Sequence, residues 1–237
     1  MGAVLGRGQA ARRLAAALGL PCVEDGAGFS WVLRYQDGRL VLDDLRAPRT
    51  GPVCARVPPR RPPGLSRRQP LLRALGRGAR QVVDATAGLG GDACLLAWAG
   101  LEVLALERSP VVAALLADAL ENAPAGAPRP ALLPGDAREL LPALSPAPGV
   151  VYLDPMFPPR RRDSALARKA PRALRRVVGE DPDAGELLAV ARRCATARVV
   201  VKRPPEAEPL APPDIQYRGK LARYDVYLNA MGSDPIE

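Results

Sequence analysis

The most specific chemistry in this chain sits in Val150-Val-Tyr-Leu-Asp154-Pro155-Met156-Phe157-Pro158-Pro159. An apolar run ends on a carboxylate, and the proline that follows stops the strand. The Asp154 carboxylate and the Pro155 carbonyl are then left as acceptors at a sheet edge. Phe157, one of only two phenylalanines, adds a flat apolar face. Two acceptors and a ring are the set that holds a planar base bearing an exocyclic amine. Such an amine, on guanine or adenine, is a poor nucleophile because its lone pair is delocalised into the ring. Acceptors that bond its hydrogens aim the lone pair at an electrophile, and nearby oxygens stabilise the positive charge that grows on nitrogen.

A second constellation is Asp84-Ala-Thr-Ala-Gly88-Leu-Gly90-Gly91-Asp92, which follows an apolar strand and opens a helix. Glycines there let a ligand approach the backbone, and the helix start offers free N–H donors. Gly88-x-Gly90-x-x-Ala93 also satisfies a relaxed dinucleotide fingerprint, with Glu107 about 20 residues on to bind a ribose. The turn alone therefore fits either a nicotinamide dinucleotide or S-adenosylmethionine. Asp84 and Asp92 favour the second, because negative charge on both sides of the loop is awkward beside a pyrophosphate and suits a sulfonium and an ammonium. Glu107 stands where ribose hydroxyls would be accepted, and Asp136 where an adenine amine would be held. Each acid taken alone reads equally well as a helix cap.

Composition narrows the remaining options. The 237 residues contain no histidine, which removes imidazole bases, Ser–His triads and His-ligated metals. Cys22, Cys54, Cys94 and Cys194 are far apart and read as small buried residues, so no metal or redox site is expected. A catalyst built from these residues works with carboxylates, backbone groups, basic side chains or a cofactor. With 48% apolar and 25% charged residues the chain can bury a core. No stretch approaches a membrane span and no signal peptide is evident, so a soluble, cytoplasmic protein is expected. The 34 basic against 25 acidic residues leave a net charge of +9 and favour an anionic partner.

The elements that must position these residues can be read as well. In residues 1–65, Ala10 to Leu18 is a helix candidate. Phe29–Tyr35 and Arg39–Leu42 form a hairpin about Asp37-Gly38, and Val57 to Gly64 is a proline-rich linker. Residues 66–237 form the larger domain, opened by a helix through Leu71, Leu72 and Leu75 that Ser66 would cap. Short apolar strands then alternate with helices: Val82-Val83, Leu101–Leu106, Ala131–Leu133, Val150–Leu153 and Val199–Val201. Helices are expected over Asp92–Ala99, Pro110–Leu120 and Glu186–Cys194, and a closing antiparallel hairpin from Gln216–Arg218 and Tyr224–Leu228. This is an α/β pattern with a mostly parallel sheet covered on both faces, plus a small N-terminal α+β region. The strands end on Asp84, Glu107, Asp136, Asp154 and Lys202, where such sheets bind ligands.

Basic clusters flank these motifs. Arg160-Arg161-Arg162 leads out of the Asp154 segment, Arg168 to Arg176 continues it, and Arg60, Arg61, Arg67 and Arg68 form a second group. Beside a base-sized pocket they are expected to contact phosphates. Aromatics, at 4%, are too few for a broad stacking surface, so shape and phosphate recognition with one base drawn into the pocket is expected.

Asp84-Ala-Thr-Ala-Gly-Leu-Gly, Glu107-Arg-Ser-Pro-Val-Val-Ala-Ala-Leu-Leu, Val151-Tyr-Leu-Asp-Pro-Met-Phe-Pro and Val199-Val-Val-Lys-Arg-Pro closely resemble the ribosomal RNA small-subunit methyltransferase J family. The resemblance covers about Ser66 to Leu228. It implies a Rossmann-like S-adenosylmethionine-dependent methyltransferase acting on the 2-amino group of a guanosine in 16S ribosomal RNA, free or in the small subunit. It also implies cofactor contacts at Gly91-Asp92, Glu107-Arg108, Asp136-Ala137 and Asp154. The chain departs from that family's usual residues at Gly91, at Asp136-Ala137 and in the linker. On this reading Asp154 and Pro155 position the amine, Phe157 stacks the base, and Lys202, Arg160 and Arg161 meet the RNA backbone. An NAD-dependent oxidoreductase and a non-catalytic ribosome-assembly factor are the competing expectations.

Overall fold

The computed structural model describes residues 1–156, 174–177, 179 and 181–229. Two sheets organise them. The larger has seven strands: β5 (Gln81–Asp84), β6 (Glu102–Glu107), β7 (Ala131–Pro134), β8 (Val150–Leu153), β9 (Arg198–Arg203), β10 (Ile215–Arg218) and β11 (Arg223–Leu228). Their spatial order is β10-β11-β9-β8-β5-β6-β7. β5 to β9 run parallel, whereas β11 is antiparallel to both β9 and β10. The chain order reverses between β5 and β8, the switch point beside which doubly wound sheets bind ligands.

Successive strand residues face opposite layers, so near-continuous valine runs supply two cores. Val82, Val150, Tyr152, Val200 and Val226 pack with α2 (Pro70–Ala74) and α3 (Gly91–Trp98) on one face. Val83, Val151, Leu153, Val199, Val201 and Tyr227 pack with α5 (Ala137–Ala143) and α6 (Ala184–Cys194) on the other. Each fully buried leucine or valine contributes about 1.5–3 kcal/mol of transfer free energy, which fixes the register of the strand ends that carry the acids.

The smaller sheet, order β2-β1-β3-β4, comprises β1 (Gly2–Leu5), β2 (Cys22–Val23), β3 (Trp31–Gln36) and β4 (Arg39–Asp44), with α1 (Gln9–Leu18) between β1 and β2. β3 and β4 form the expected hairpin, and Asp37 and Gly38 both have positive φ, as its turn requires. β1 and β2 were not foreseen, because two to four residues hold too little pattern. Gly2 admits Trp31: a Cβ there would lie 2.1 Å from the indole. This sheet packs on α4 (Pro110–Glu121), whose Val112, Leu115 and Ala119 join Val4, Leu33, Leu40 and Leu42 in one apolar cluster. α4 presents its opposite side, Leu116 and Leu120, to the large sheet, which is why it is apolar nearly all round.

Several expectations needed revision. Of the four cysteines read as buried, Cys94 alone is; Cys22 is exposed and Cys54 and Cys194 are half-buried. The helix before β5 begins at Pro70 with Gln69 at its cap position, not at Ser66, since proline is preorganised for the first helical position. The proline-rich segment is docked: Val57 and Leu65 are buried, and the Trp98 indole N–H donates to Pro58 O at 3.3 Å. Helix α5 was not expected because Pro142 lies inside it; it forms because Asp136 caps it, accepting from the Arg138 N–H at 2.8 Å. No described helix is long and apolar enough to cross a membrane.

Candidate active site

A cavity of about 950 Å³ opens at the C-terminal ends of β5, β6, β8 and β9, within the range that holds a ligand of cofactor size. It gathers Asp84, Gly88, Gly91, Asp92, Glu107, Arg108, Asp136, Ala137 and Asp154, all the residues expected at a cofactor, together with Pro155 and Lys202. Phe157, Arg160 and Arg161 lie outside the described residues.

The Gly-rich turn forms the cavity's inner wall. Gly88 and Gly90 have φ of +55° and +77°. At Gly90 a Cβ would also come 2.5 Å from Leu116 Cδ1, so the left-handed turn and the close approach of α4 both select glycine. Glu107 braces this turn, Oε2 accepting from Gly88 N–H and Oε1 from Ser109 N–H, each at 2.8 Å. Burial nonetheless raises the Glu107 pKa, with those two donors opposing the shift. Asp84 is almost completely buried and accepts from Thr86 N–H at 3.1 Å. Its pKa lies well above the usual carboxylate range, first because of burial and then because of the neighbouring Asp92 charge.

The floor is a network on one ammonium. Lys202 Nζ donates to Asp92 Oδ2 and to Asp154 Oδ2, both at 2.8 Å. The Tyr152 hydroxyl donates to the same Asp92 oxygen at 2.5 Å. Thr86 Oγ1 accepts from the Asp154 N–H at 2.6 Å and fixes the start of the Asp-Pro-Met segment against the Gly-rich turn. Burial pushes the Asp154 carboxyl up to about 6; Lys202 opposes this and Asp92 adds to it. Burial works against the Lys202 charge, but Asp154 and Asp92 outweigh it and its pKa is raised. Lys202, expected to meet the RNA backbone, has its ammonium engaged by two carboxylates of the cavity floor. β8, β9 and the start of α3 converge there, from positions 48 and 110 residues apart in sequence.

The rim is ionic. Arg108 pairs with Asp181 and, at 2.7 Å, with Asp183. Arg138 pairs with Asp136 at 2.6 Å and with Asp183 and Glu186 at 3.0 Å. Asp181 Oδ2 also accepts from Met156 N–H at 2.6 Å, so the segment before α6 holds the residue after Pro155. Asp136 therefore caps α5 and binds Arg138, whose hydrogen bond is the main reason its pKa is lowered. That is the helix-cap alternative weighed for it, although it still lines the cavity. Thr86, Tyr152, Arg138, Asp181 and Asp183 were not singled out from sequence; only Tyr152, a hydroxyl inside an apolar strand, left a local signal.

The lining tests well against a cationic cofactor. Buried acids at Asp84 and Glu107 are costly without compensation, and a sulfonium and an ammonium would supply it. Apart from its chain neighbours and its own helix backbone, no described atom lies within 4 Å of where a Gly91 Cβ would project, leaving space at the start of α3. Among the described residues no group of acids and cysteines is arranged to hold a metal ion.

Sheet order, switch-point cavity and acidic lining define an S-adenosylmethionine-dependent methyltransferase, and a family model for such enzymes matches residues 14–229. A crystal structure of a SAM-dependent methyltransferase from Neisseria gonorrhoeae superposes with a TM-score of 0.70 at 29% identity, covering 99% of both chains. The ribosomal RNA small subunit methyltransferase J of Thioalkalivibrio sulfidiphilus is 46% identical, covering 92% of each chain, and that of Coxiella burnetii 40% identical, covering 92% of this chain and 91% of its own. The chain belongs to the ribosomal RNA small subunit methyltransferase J family.

Proposed function

We propose that this enzyme methylates the exocyclic 2-amino group of a guanosine in small-subunit ribosomal RNA. The observation that carries the reading is Asp154: a carboxylate at the end of β8, held by Lys202 on the cavity floor and followed directly by Pro155. Bound S-adenosylmethionine supplies a methyl activated by its sulfonium. Gly88, Gly91, Asp92, Glu107, Arg108, Asp136 and Ala137 would surround it, with the acids of the turn facing its positive charges.

Asp154, with the Pro155 carbonyl, accepts the amine hydrogens and turns the nitrogen lone pair toward the methyl carbon. Positive charge that would grow on the nitrogen as it takes the methyl would be stabilised by the Asp154 carboxylate. The nitrogen proton becomes acidic only after the methyl has moved. It can leave through Asp154, whose side chain is 37% exposed, to water, so no histidine is needed. Phe157 follows in sequence as the ring that would stack the base, and Arg160 and Arg161 as its phosphate contacts. Residues 1–65 are read as an appended region whose core α4 completes. An oxidoreductase reading has no further support once the acids stand around the turn.

The test is methyl transfer by Asp154→Ala. Transfer should fall by about 100-fold or more while S-adenosylhomocysteine still binds. Full transfer by this variant would overturn the assignment.

A further inference from the structure

Between Leu45 and Val83 the chain has ten arginines and no aspartate or glutamate, although acids make up 25 of its 237 residues. The acids flanking this run are committed elsewhere: Asp44 pairs with Arg176, and Asp84 is buried in the cavity wall. Arg67, Arg68, Arg73 and Arg77 are all exposed. They are gathered on and around α2 by Arg67, which donates to Arg77 O at 3.1 Å, and by Arg73, whose guanidinium stacks 4.9 Å from the Tyr217 ring. α2 packs on β10 and β11. Its first residue, Pro70, meets the β10–β11 turn: a Cβ at Gly219 would lie 3.5 Å from Pro70 Cγ. The exposed Lys220 and Leu221 follow in that turn, and Leu221, 91% exposed, lines the mouth of the cavity. Glu102 is the acid near the far end, where it faces Gln81 at 2.7 Å.

We propose that this arginine cluster on and around α2, continued by Lys220 to the cavity mouth at Leu221, is a docking track for the phosphate backbone of the ribosomal RNA substrate. The inference rests on the proposed RNA activity and adds residues other than the arginines that follow Phe157 in sequence. Exposed guanidiniums that pair with no acid among the described residues, held on and beside a docked helix, suit phosphates through paired N–H donors. The low aromatic content of the chain, 4%, suits backbone rather than base contact. Leu221 stands where the track meets the pocket, so a strand held along it passes the point at which one base must leave its stack.

The experiment compares wild type with the quadruple variant R68Q/R73Q/R77Q/K220Q. The RNA probe is whichever of unmodified 16S transcript and small subunits from a gene-deleted strain the wild type methylates. If each side chain meets one phosphate, the slope of log affinity on log salt falls by about 3. Over about a fourfold rise in salt the variant then loses about 60-fold less affinity than wild type. KM for RNA should rise with kcat and S-adenosylhomocysteine affinity unchanged, and R68K/R73K/R77K should retain the slope. A quadruple variant with wild-type slope, affinity and KM overturns the track alone. A wild type that methylates neither form of RNA overturns the functional reading and the track with it.

Discussion

Lys202→Met removes the ammonium shared by Asp92 and Asp154, and the structure sets the size of the effect. Nζ is 2.8 Å from each carboxylate oxygen, which places the charge centres roughly 4 Å apart and gives about 4 kcal/mol for each pair at an effective dielectric of about 20. Lys202 and Asp154 are 28% and 37% exposed, so solvent screening reduces this to about 2 kcal/mol. At about 1.4 kcal/mol per unit, the Asp154 pKa should rise by about 1.5 from its starting value. That value is about 6, and Asp92, left unpaired beside it, pushes in the same direction. At about pH 7 the ionised fraction of Asp154 would then fall from about nine-tenths to about a quarter. The assay is the initial rate of labelled methyl transfer to ribosomal RNA across the range from about pH 5.5 to about 9. The acid limb of the profile should move up by more than a unit in Lys202→Met, with much of the rate regained at high pH. Asp92→Asn should move the limb down, because it removes a charge that raises the Asp154 pKa. A uniform loss of rate with an unmoved limb would refute the idea that Lys202 sets the ionisation of Asp154.

Further outcomes follow from the same geometry. Arg223 and Asp225 are 5% and 0% exposed and doubly bonded at 2.7 and 2.9 Å; Arg223→Met should cost about 3–5 kcal/mol in denaturant unfolding by stranding a buried carboxylate. Gly90→Ala, at φ +77° against Leu116, should cost about 1–3 kcal/mol, whereas Gly91→Ala, with open space around it, should leave the unfolding midpoint unchanged. The raised carboxyl of Asp154 also predicts a pH dependence of stability. The folded form keeps a proton that the unfolded chain releases near the ordinary value of 3.8, so this group's contribution falls as pH rises from there to about 6. Asp136, whose pKa is lowered, contributes in the opposite sense, its stabilisation present above the ordinary value and lost on acidification. The difference in urea midpoint between wild type and Asp154→Asn should therefore shift in favour of the variant across that window, and a constant difference would count against the raised value.

Much of the fold was legible because most of the parallel strands are compact apolar runs that stop on or just before a charged residue. β5, β6 and β8 end on Asp84, Glu107 and Leu153-Asp154, and those ends form the cavity. What escaped was either too short or wholly tertiary. β1 and β2 hold four and two residues, and α5 hides behind Pro142. Lys202 read as a strand-end cation free for RNA because its two carboxylate partners arrive from remote segments. Arg108 and Arg138 likewise meet Asp181 and Asp183 only once α6 packs beside α5. The acid-free arginine run was written in the sequence, but its continuity with the cavity mouth depends on Pro70 meeting the β10–β11 turn.

The central claim is tested most directly by the product itself. Small-subunit ribosomal RNA from a gene-deleted strain, free and in subunits, is incubated with the purified enzyme and S-adenosylmethionine carrying a labelled methyl, then digested to nucleosides and resolved by mass spectrometry. The account predicts label in N2-methylguanosine, reduced by about 100-fold or more with Asp154→Ala. Label in any other nucleoside, or in none, would contradict it.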